Sequence, residues 1–389
     1  MIRQRQLLRA IVLTALATAG CGGAASSGGA PAAVASASAK PATSVVASAA
    51  AKPSAAASAA ASAAVPASGS PGLVTLKVGT QHVATDGPMY IAQEKGWFKD
   101  RGLNVQFTDV NGEEAISAVA TGQLDISVGA IYSGLFNAIG RGLDVRLVAT
   151  KGSITEQPQA KPSSGLVIRK ALFDGGTIKD YGDLKGKKIA VASRGATQEE
   201  SLDNAMHKAG MSIDDVDVKT MPFPDTLPAL ANGSIDGAME LQPWITQGTA
   251  SGILTFWKDT ADMTPGLQTN ALTFGPSITK ANQDAGRKFM VAYTQGIRFY
   301  NDATGPKQTN WNEFVDIMAK NTSLKDRSLY DKVGWTYFNG DCSLNIASVG
   351  QNQDWYAAHG YVKQKVDVNT AVDDSYCQAA VKQLGPYKP

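Results

Sequence analysis

The sequence predicts an α/β fold of two lobes joined by two crossings, with a ligand cleft between the lobes. Strand and helix patterns alternate from residue 74 onward, and a second series of the same kind begins near Leu166. A strand pattern over residues 271–274 then predicts a return to the first lobe. Regular alternation of this kind is typical of α/β layers built on largely parallel sheets.

Residues 74–110 form the first βαβ unit. Alternating apolar residues over 74–78 predict a strand, and a polar loop over 81–86 follows it. Pro88 then opens a helix at a position where its missing N–H costs nothing. A second alternation over 103–107 predicts the next strand. Because ligands bind beyond the carboxyl ends of parallel strands, we expect loop 81–86 to face the cleft.

The alternation of strand and helix patterns continues through both lobes. In the first lobe it predicts strands over 124–128 and 145–149, which we expect to complete one parallel layer of four strands. In the second lobe it predicts strands at the following positions: 165–169, 189–191, 216–221, 237–241 and 253–256. From about Ser277 the chain turns helical, and we expect this part to pack back on the first lobe.

The composition gives no sign of a nucleic-acid partner. The 389 residues include 36 Lys+Arg against 34 Asp+Glu, for a net charge of +2. No zinc-protease, paired-cysteine, P-loop or serine-hydrolase motif occurs. The three histidines, His82, His207 and His359, are not paired at metal-ligand spacing. We therefore expect no metal, no cofactor and no catalytic residues.

Residues 1–20 are predicted to be an export signal. Arg3, Arg5 and Arg9 precede a short apolar run over 10–19, which is too short to span a bilayer. The sequence then resembles the lipobox of bacterial lipoproteins, in which a cysteine, here Cys21, is acylated. Thr18 replaces the leucine usual in that motif. The alternative is an ordinary secretory signal with an incidental cysteine.

Residues 21–72 are predicted to be a disordered tether. They are almost wholly Ala, Ser, Gly, Pro and Val, so they lack the large side chains whose burial would offset the entropy of ordering. About fifty residues of flexible chain reach roughly 40 Å. This suits a membrane-anchored domain.

Cys342 and Cys377 are predicted to form a disulfide, since an exported chain folds in an oxidising compartment. The alternative is a pair of free, buried thiols.

Several short segments follow one another in a fixed order along the chain. They are Gly87-Pro88-Met89-Tyr90-Ile91-Ala92 and Glu94-Lys95-Gly96-Trp97-Phe98, and then the segments 122–126, 183–191 and 232–238. The ordered set covers residues 73–385. Together these segments resemble one family, the solute-binding proteins of the nitrate/sulfonate/taurine group, which includes thiamine-pyrimidine-synthase-like members.

This resemblance implies a type II periplasmic-binding-protein fold and a set of partners. The first lobe comprises residues 73–165 and 271–389, the latter with the C-terminal helices, and the second lobe comprises residues 166–270. The implied partners are a small-molecule ligand, an ABC permease and its ATPase. We expect a monomer held on the outer face of the cytoplasmic membrane or in the periplasm by its lipid anchor.

In the first lobe, the resemblance implies that loops after the strands contact the ligand. These residues are Gln81, His82, Asn111, Gly112, Tyr132 and Ser133. The alternative for His82 is a solvated loop histidine. Ser133, at a helix start, either binds a ligand acceptor or only caps the helix.

In the second lobe, residues 194–197 are predicted to bind an acidic or electron-rich group. Gly195 allows close backbone approach, the helix start at Ala196 and Thr197 offers N–H donors, and Arg194 adds a cation. The alternative is a Thr197 cap with Arg194 in water. Further along, Phe223 and Trp244 are predicted to give a planar ligand a stacking wall, with core packing as the alternative for Trp244.

These features predict a solute receptor that delivers its ligand to an ABC importer. A planar organic molecule (a pyrimidine, flavin or aromatic acid) is favoured over a sulfonate or nitrate. One alternative is a thiamine-pyrimidine-synthase-like enzyme, although the cysteine-rich motif of those enzymes is absent. The other is a surface protein for sensing or adhesion.

Overall fold

The computed structural model describes residues 72–110, 112–155 and 161–388. The predicted export signal, Cys21 and most of the tether lie outside the described residues, and so does Asn111.

Among the described residues, one five-stranded sheet contains the first four strands and the last. The strands are β1 (Val74–Thr80), β2 (Leu103–Asp109), β3 (Ile126–Ala130), β4 (Arg146–Thr150) and β10 (Asn270–Phe274). Their order is β2-β1-β3-β10-β4. β1 runs parallel to β2 and β3, whereas β10 runs antiparallel to β3 and β4. The four predicted strands β1 to β4 do run in the same direction. They do not form one parallel layer, however, because the strand that returns from the other lobe enters between β3 and β4 in the opposite direction.

The second five-stranded sheet repeats this plan. Its strands are β5 (Ser164–Arg169), β6 (Lys188–Val191), β7 (Asp217–Thr220), β8 (Gly237–Leu241) and β9 (Leu254–Asp259). Their order is β7-β6-β8-β5-β9. β6 is parallel to β7 and β8, and β5 is antiparallel to β8 and β9. In each sheet, four strands thus run in one direction. The remaining strand, β10 or β5, directly follows a crossing between the lobes and runs in the opposite direction.

Helices cover both sheets. Around the first sheet and the C-terminal part they are α1 (Gly87–Glu94), α2 (Gly112–Ala120), α3 (Ser133–Gly140), α9 (Gln283–Thr304), α10 (Trp311–Asn321), α11 (Ile346–Ala358), α12 (Val368–Ala371) and α13 (Ser375–Leu384). Around the second sheet they are α4 (Lys170–Asp174), α5 (Thr197–His207), α6 (Phe223–Asn232), α7 (Trp244–Ala250) and α8 (Thr260–Met263).

Each sheet has its own apolar core. α9, the longest helix described, packs against α1 and α13, and its buried face includes Phe289, Tyr293 and Ile297. Two further clusters cover the faces of the second sheet, one around Leu166 and one around Val167, because successive strand residues point to opposite faces. Among the described residues, no helix combines the length and apolar composition that crossing a bilayer requires.

Candidate functional site

A cavity lies between the two sheets, at the carboxyl ends of their parallel strands. Its volume is about 30 Å³, which is room for about two waters at roughly 10–15 Å³ each, so a larger molecule enters only when the lobes part. Residues that follow β1, β3, β6 and β7 meet here, as the topology predicts for a ligand site. The predicted site residues that line it are Gln81, Tyr132, Ala196, Thr197 and Phe223.

Asp86 holds the backbone of the loop that carries Gln81. Asp86 Oδ2 accepts hydrogen bonds from the backbone N–H groups of Gln81 and Val83, both at 3.2 Å. Its other oxygen, Oδ1, lies 2.8 Å from the ammonium of Lys151, in an ion pair that is buried at both ends. A buried carboxylate thus fixes the loop backbone, and the Gln81 side chain is left at the cavity wall.

His82 lies outside this cavity. Its Nε2 is 2.5 Å from Asp109 Oδ1 and its Nδ1 is 3.0 Å from the carbonyl oxygen of Asn321. His82 adopts a φ of 54° and lines a wider opening of about 410 Å³, together with Trp244. Gln81 lines both spaces, so it stands between the opening and the inner cavity.

Tyr132 and Ser133 join the lobes at the cavity. The backbone N–H of Ser133 donates to the carbonyl of Gly195 at 2.9 Å, and Tyr132 pairs with Ala196 as an isolated β-bridge. The Ser133 hydroxyl donates to Glu113 Oε1 at 2.6 Å, so its donor is already used within the protein. Burial raises the pKa of the Tyr132 phenol to about 12, so it stays protonated at the cavity wall.

Two features of the structure require a glycine at position 195. Its φ is +62°, and a Cβ there would lie 2.5 Å from Ser133 Oγ. The predicted close approach at Gly195 is present, but the group that approaches is the other lobe. Gly112 also has a positive φ, of 59°, and packs near Ser193 without lining the cavity.

Arg194 turns away from the cavity. Its Nε lies 2.7 Å from Glu199 Oε1 and 3.1 Å from the hydroxyl of Tyr361. The second oxygen of Glu199 accepts the backbone N–H of Gly195 at 2.7 Å. Glu199 is fully buried, so this arginine neutralises a carboxylate of its own chain.

Polar side chains at the start of α5 also form hydrogen bonds to other groups of the protein. Thr197 Oγ1 donates to the carbonyl of Thr269 at 3.1 Å, which ties α5 to the second crossing. Gln198 Oε1 accepts the backbone N–H of Ala192 at 2.9 Å. Gln198 lines the cavity and was missed in the sequence, where a glutamine in the first turn of a helix carries no distinctive signal.

Phe223 and Trp244 stack on each other, with ring centroids 5.7 Å apart and planes 20° apart. Both are buried and pack with Val83 of the first lobe. Phe223 lines the inner cavity and Trp244 lines the wider opening. The two rings therefore form one wall that separates these spaces.

Glu240 is the most unusual residue of the cavity wall and was not predicted. It is 1% exposed, and its carboxylate accepts hydrogen bonds from the Thr226 hydroxyl and from the backbone N–H of Leu241, the latter at 2.9 Å. Burial raises its pKa to about 8. A charged residue inside the apolar strand pattern of 237–241 was the signal that could have revealed it.

Comparison with known proteins agrees with this architecture. Residues 84–303 match the family model described as NMT1/THI5 like. A protein of Bacillus subtilis (strain 168) named "Putative aliphatic sulfonates-binding protein" is 22% identical over 327 residues, which cover 80% of this chain and 89% of that protein. A 4-amino-5-hydroxymethyl-2-methylpyrimidine phosphate synthase of Aspergillus parasiticus is 30% identical over 157 residues, which cover 40% of this chain and 42% of the synthase.

Among solved structures, the alkanesulfonate-binding protein SsuA from Xanthomonas axonopodis pv. citri, bound to MOPS, aligns with a TM-score of 0.62 at 16% identity. The alignment covers 78% of this chain and 99% of that one. The likeness confirms the predicted two-lobed periplasmic-binding-protein fold. The family model matches more than half of the 389 residues, and the chain therefore belongs to the NMT1/THI5-like family.

Proposed function

We propose that this protein is an extracytoplasmic solute-binding protein that captures a small organic molecule and delivers it to an ABC importer. The observation that carries the proposal is the cavity between the carboxyl ends of the two sheets, where the Ser133 N–H of one lobe bonds to the Gly195 carbonyl of the other. Such a contact is expected to form when the lobes close on a ligand and to break when they open.

The ligand is proposed to be held by the residues at the strand ends. Gln81, Tyr132 and Thr197 supply polar groups, and Phe223 supplies a ring face for a planar molecule. The sulfonate-binding relative and the SsuA neighbour support binding of a small solute.

Ligand capture is tested by native mass spectrometry of the full chain as isolated, followed by identification of whatever dissociates on denaturation. We expect one small organic molecule per chain. Uptake of that molecule should fall in cells that lack the chain and return when the chain is restored. If the isolated chain carries no molecule and binds none from a metabolite extract, the proposed function is wrong.

Anchoring through Cys21 is part of the same proposal. Cys21→Ser should move the protein from the membrane fraction to the soluble extracytoplasmic fraction. Unchanged membrane association of this variant would refute the lipid anchor and leave the ligand proposal standing.

An enzyme is the second candidate, and its support is the 30% identity to part of a pyrimidine phosphate synthase. It predicts that the molecule bound to the chain is chemically converted during incubation. Recovery of the molecule unchanged after prolonged incubation favours the binding protein.

A further inference from the structure

The charges around the cavity bear on the class of ligand. Among the described residues that line it, Glu240 is the only acid, and none is a lysine, arginine or histidine. An enclosed oxyanion requires cations, or free N–H or O–H donors, to replace its hydration. The cavity wall offers it no cation.

The nearby cations are engaged elsewhere. Arg194 is paired with Glu199, and Lys151 with Asp86. The N–H of Gly195, which could otherwise serve an anion at the start of α5, is taken by Glu199. These two cations and this N–H group are therefore already paired with acidic side chains of the protein.

Glu240, in contrast, is an acidic side chain that lacks a cation in the described part of the chain. Its carboxylate accepts two hydrogen bonds but takes part in no ion pair among the described residues. It sits beside the apolar residues Phe223, Met239 and Leu241 in the cavity wall. A buried carboxylate in such surroundings either carries a proton or requires a cation. Since burial raises its pKa to about 8, the proton is retained at neutral pH while no cation is present.

We propose that Glu240 is the specificity-determining residue of the cavity and that it selects a ligand with a basic nitrogen group, an amine or an amidine, over oxyanions. This inference rests on the proposed function, since it names the ligand class of the same cavity. When the cationic group binds, Glu240 releases its proton to solvent and pairs with the ligand. The neutral side chains of Gln81 and Tyr132 line the same cavity and can meet the other polar atoms of the ligand.

The test compares benzamidine with benzenesulfonate by isothermal titration calorimetry on the full chain at pH 7. Both probes carry the same phenyl ring, so the contact with Phe223 is matched and the difference reports the charged group. We expect benzamidine to bind with proton release, seen as a heat that differs between phosphate and Tris buffers, and benzenesulfonate to show no binding.

Glu240→Gln keeps the shape and the neutral hydrogen bonds of the protonated acid. It should weaken benzamidine binding roughly ten- to a hundred-fold and abolish the buffer dependence. Glu114→Gln, at an exposed glutamate on α2, is the matched control and should bind like the parent. Circular dichroism checks that both variants fold.

Parental affinity of Glu240→Gln, failure of benzamidine to bind, or tighter binding of benzenesulfonate overturns the inference. The native mass spectrum separates this result from failure of the proposed function. An oxyanion found in the isolated chain refutes the selectivity for basic nitrogen but keeps the solute-binding function, whereas a chain that binds no molecule refutes both.

Discussion

Lys151 and Asp86 form an ion pair at 2.8 Å in which the two side chains are 1% and 0% exposed. Lys151 directly follows β4, where the first crossing begins, and Asp86 holds the backbone of the loop that carries Gln81. The pair therefore connects one wall of the cavity to a segment between the lobes. Removing both charges from water is costly, and each charge depends on the other.

Replacement of Lys151 by Met should lower the free energy of unfolding by about 3–5 kcal/mol, because it leaves Asp86 buried without a cation. Urea denaturation measures this change. Lys99→Met, at an exposed lysine, is the control and should change stability by less than about 0.5 kcal/mol. The double variant Asp86→Asn/Lys151→Met should be less destabilised than the sum of the single variants. Additive effects would contradict a coupled pair.

Gly195→Ala should impair ligand binding, because its Cβ would lie 2.5 Å from Ser133 Oγ of the other lobe. Gly210→Ala is the matched control, since Gly210 has a similar φ of +69° but an added Cβ meets nothing within 4 Å. Both variants carry the same backbone strain, of about 1 kcal/mol. We expect at least a ten-fold loss of affinity for the ligand identified by mass spectrometry in Gly195→Ala alone. Equal affinities in the two variants would show that closure does not need this contact.

Glu240→Gln should change the pH dependence of stability. The folded pKa of Glu240, about 8, lies above its ordinary value of 4.5. The folded state therefore holds the proton more tightly, and ionisation of Glu240 costs stability as the pH rises from about 4.5 through 8. The variant should melt at least about 3 °C above the parent at pH 9 and close to it at pH 5. A constant difference across this range would show that Glu240 ionises freely in the folded protein.

Arg194→Ala should affect stability more than ligand affinity. The change removes the cation beside the buried Glu199. The Glu199 carboxylate still accepts hydrogen bonds from the Gly195 N–H and the Tyr361 hydroxyl. We expect a loss of about 1–2 kcal/mol in unfolding free energy and a change of less than about three-fold in affinity, measured by calorimetry. A ten- to hundred-fold loss of affinity would instead support the direct ligand contact that the sequence predicts.

Cys342 and Cys377 are bonded in the structure, both are buried, and they lie 35 residues apart in sequence. Labelling under denaturing, non-reducing conditions should find neither thiol free. Reduction should lower the free energy of unfolding by about 3–4 kcal/mol, as expected for a loop of this length. The variant Cys342→Ala/Cys377→Ala, which has no bond to lose, should be insensitive to reductant. Quantitative labelling of both cysteines in the parent would contradict the disulfide.

Local patterns in the sequence determined most of the elements. Strand alternation predicted 237–241, where β8 is found, and the helix opened by Pro88 begins at Gly87 as α1. Periodicity and proline or glycine punctuation act within a few residues, so one sequence is enough to detect them. The family resemblance was also carried by local motifs and is confirmed.

The order of the strands and the partners of the charged side chains depend on tertiary contacts. Nothing local places β10 between β3 and β4, because that position depends on where the chain returns after the second lobe. Arg194 had the sequence context of a ligand anchor, yet the fold puts Glu199 beside it. Glu240 became a cavity residue only because β8 ends between the lobes. Burial and pairing are set by contacts between residues distant in sequence, and these contacts decide which charge is left to meet a ligand.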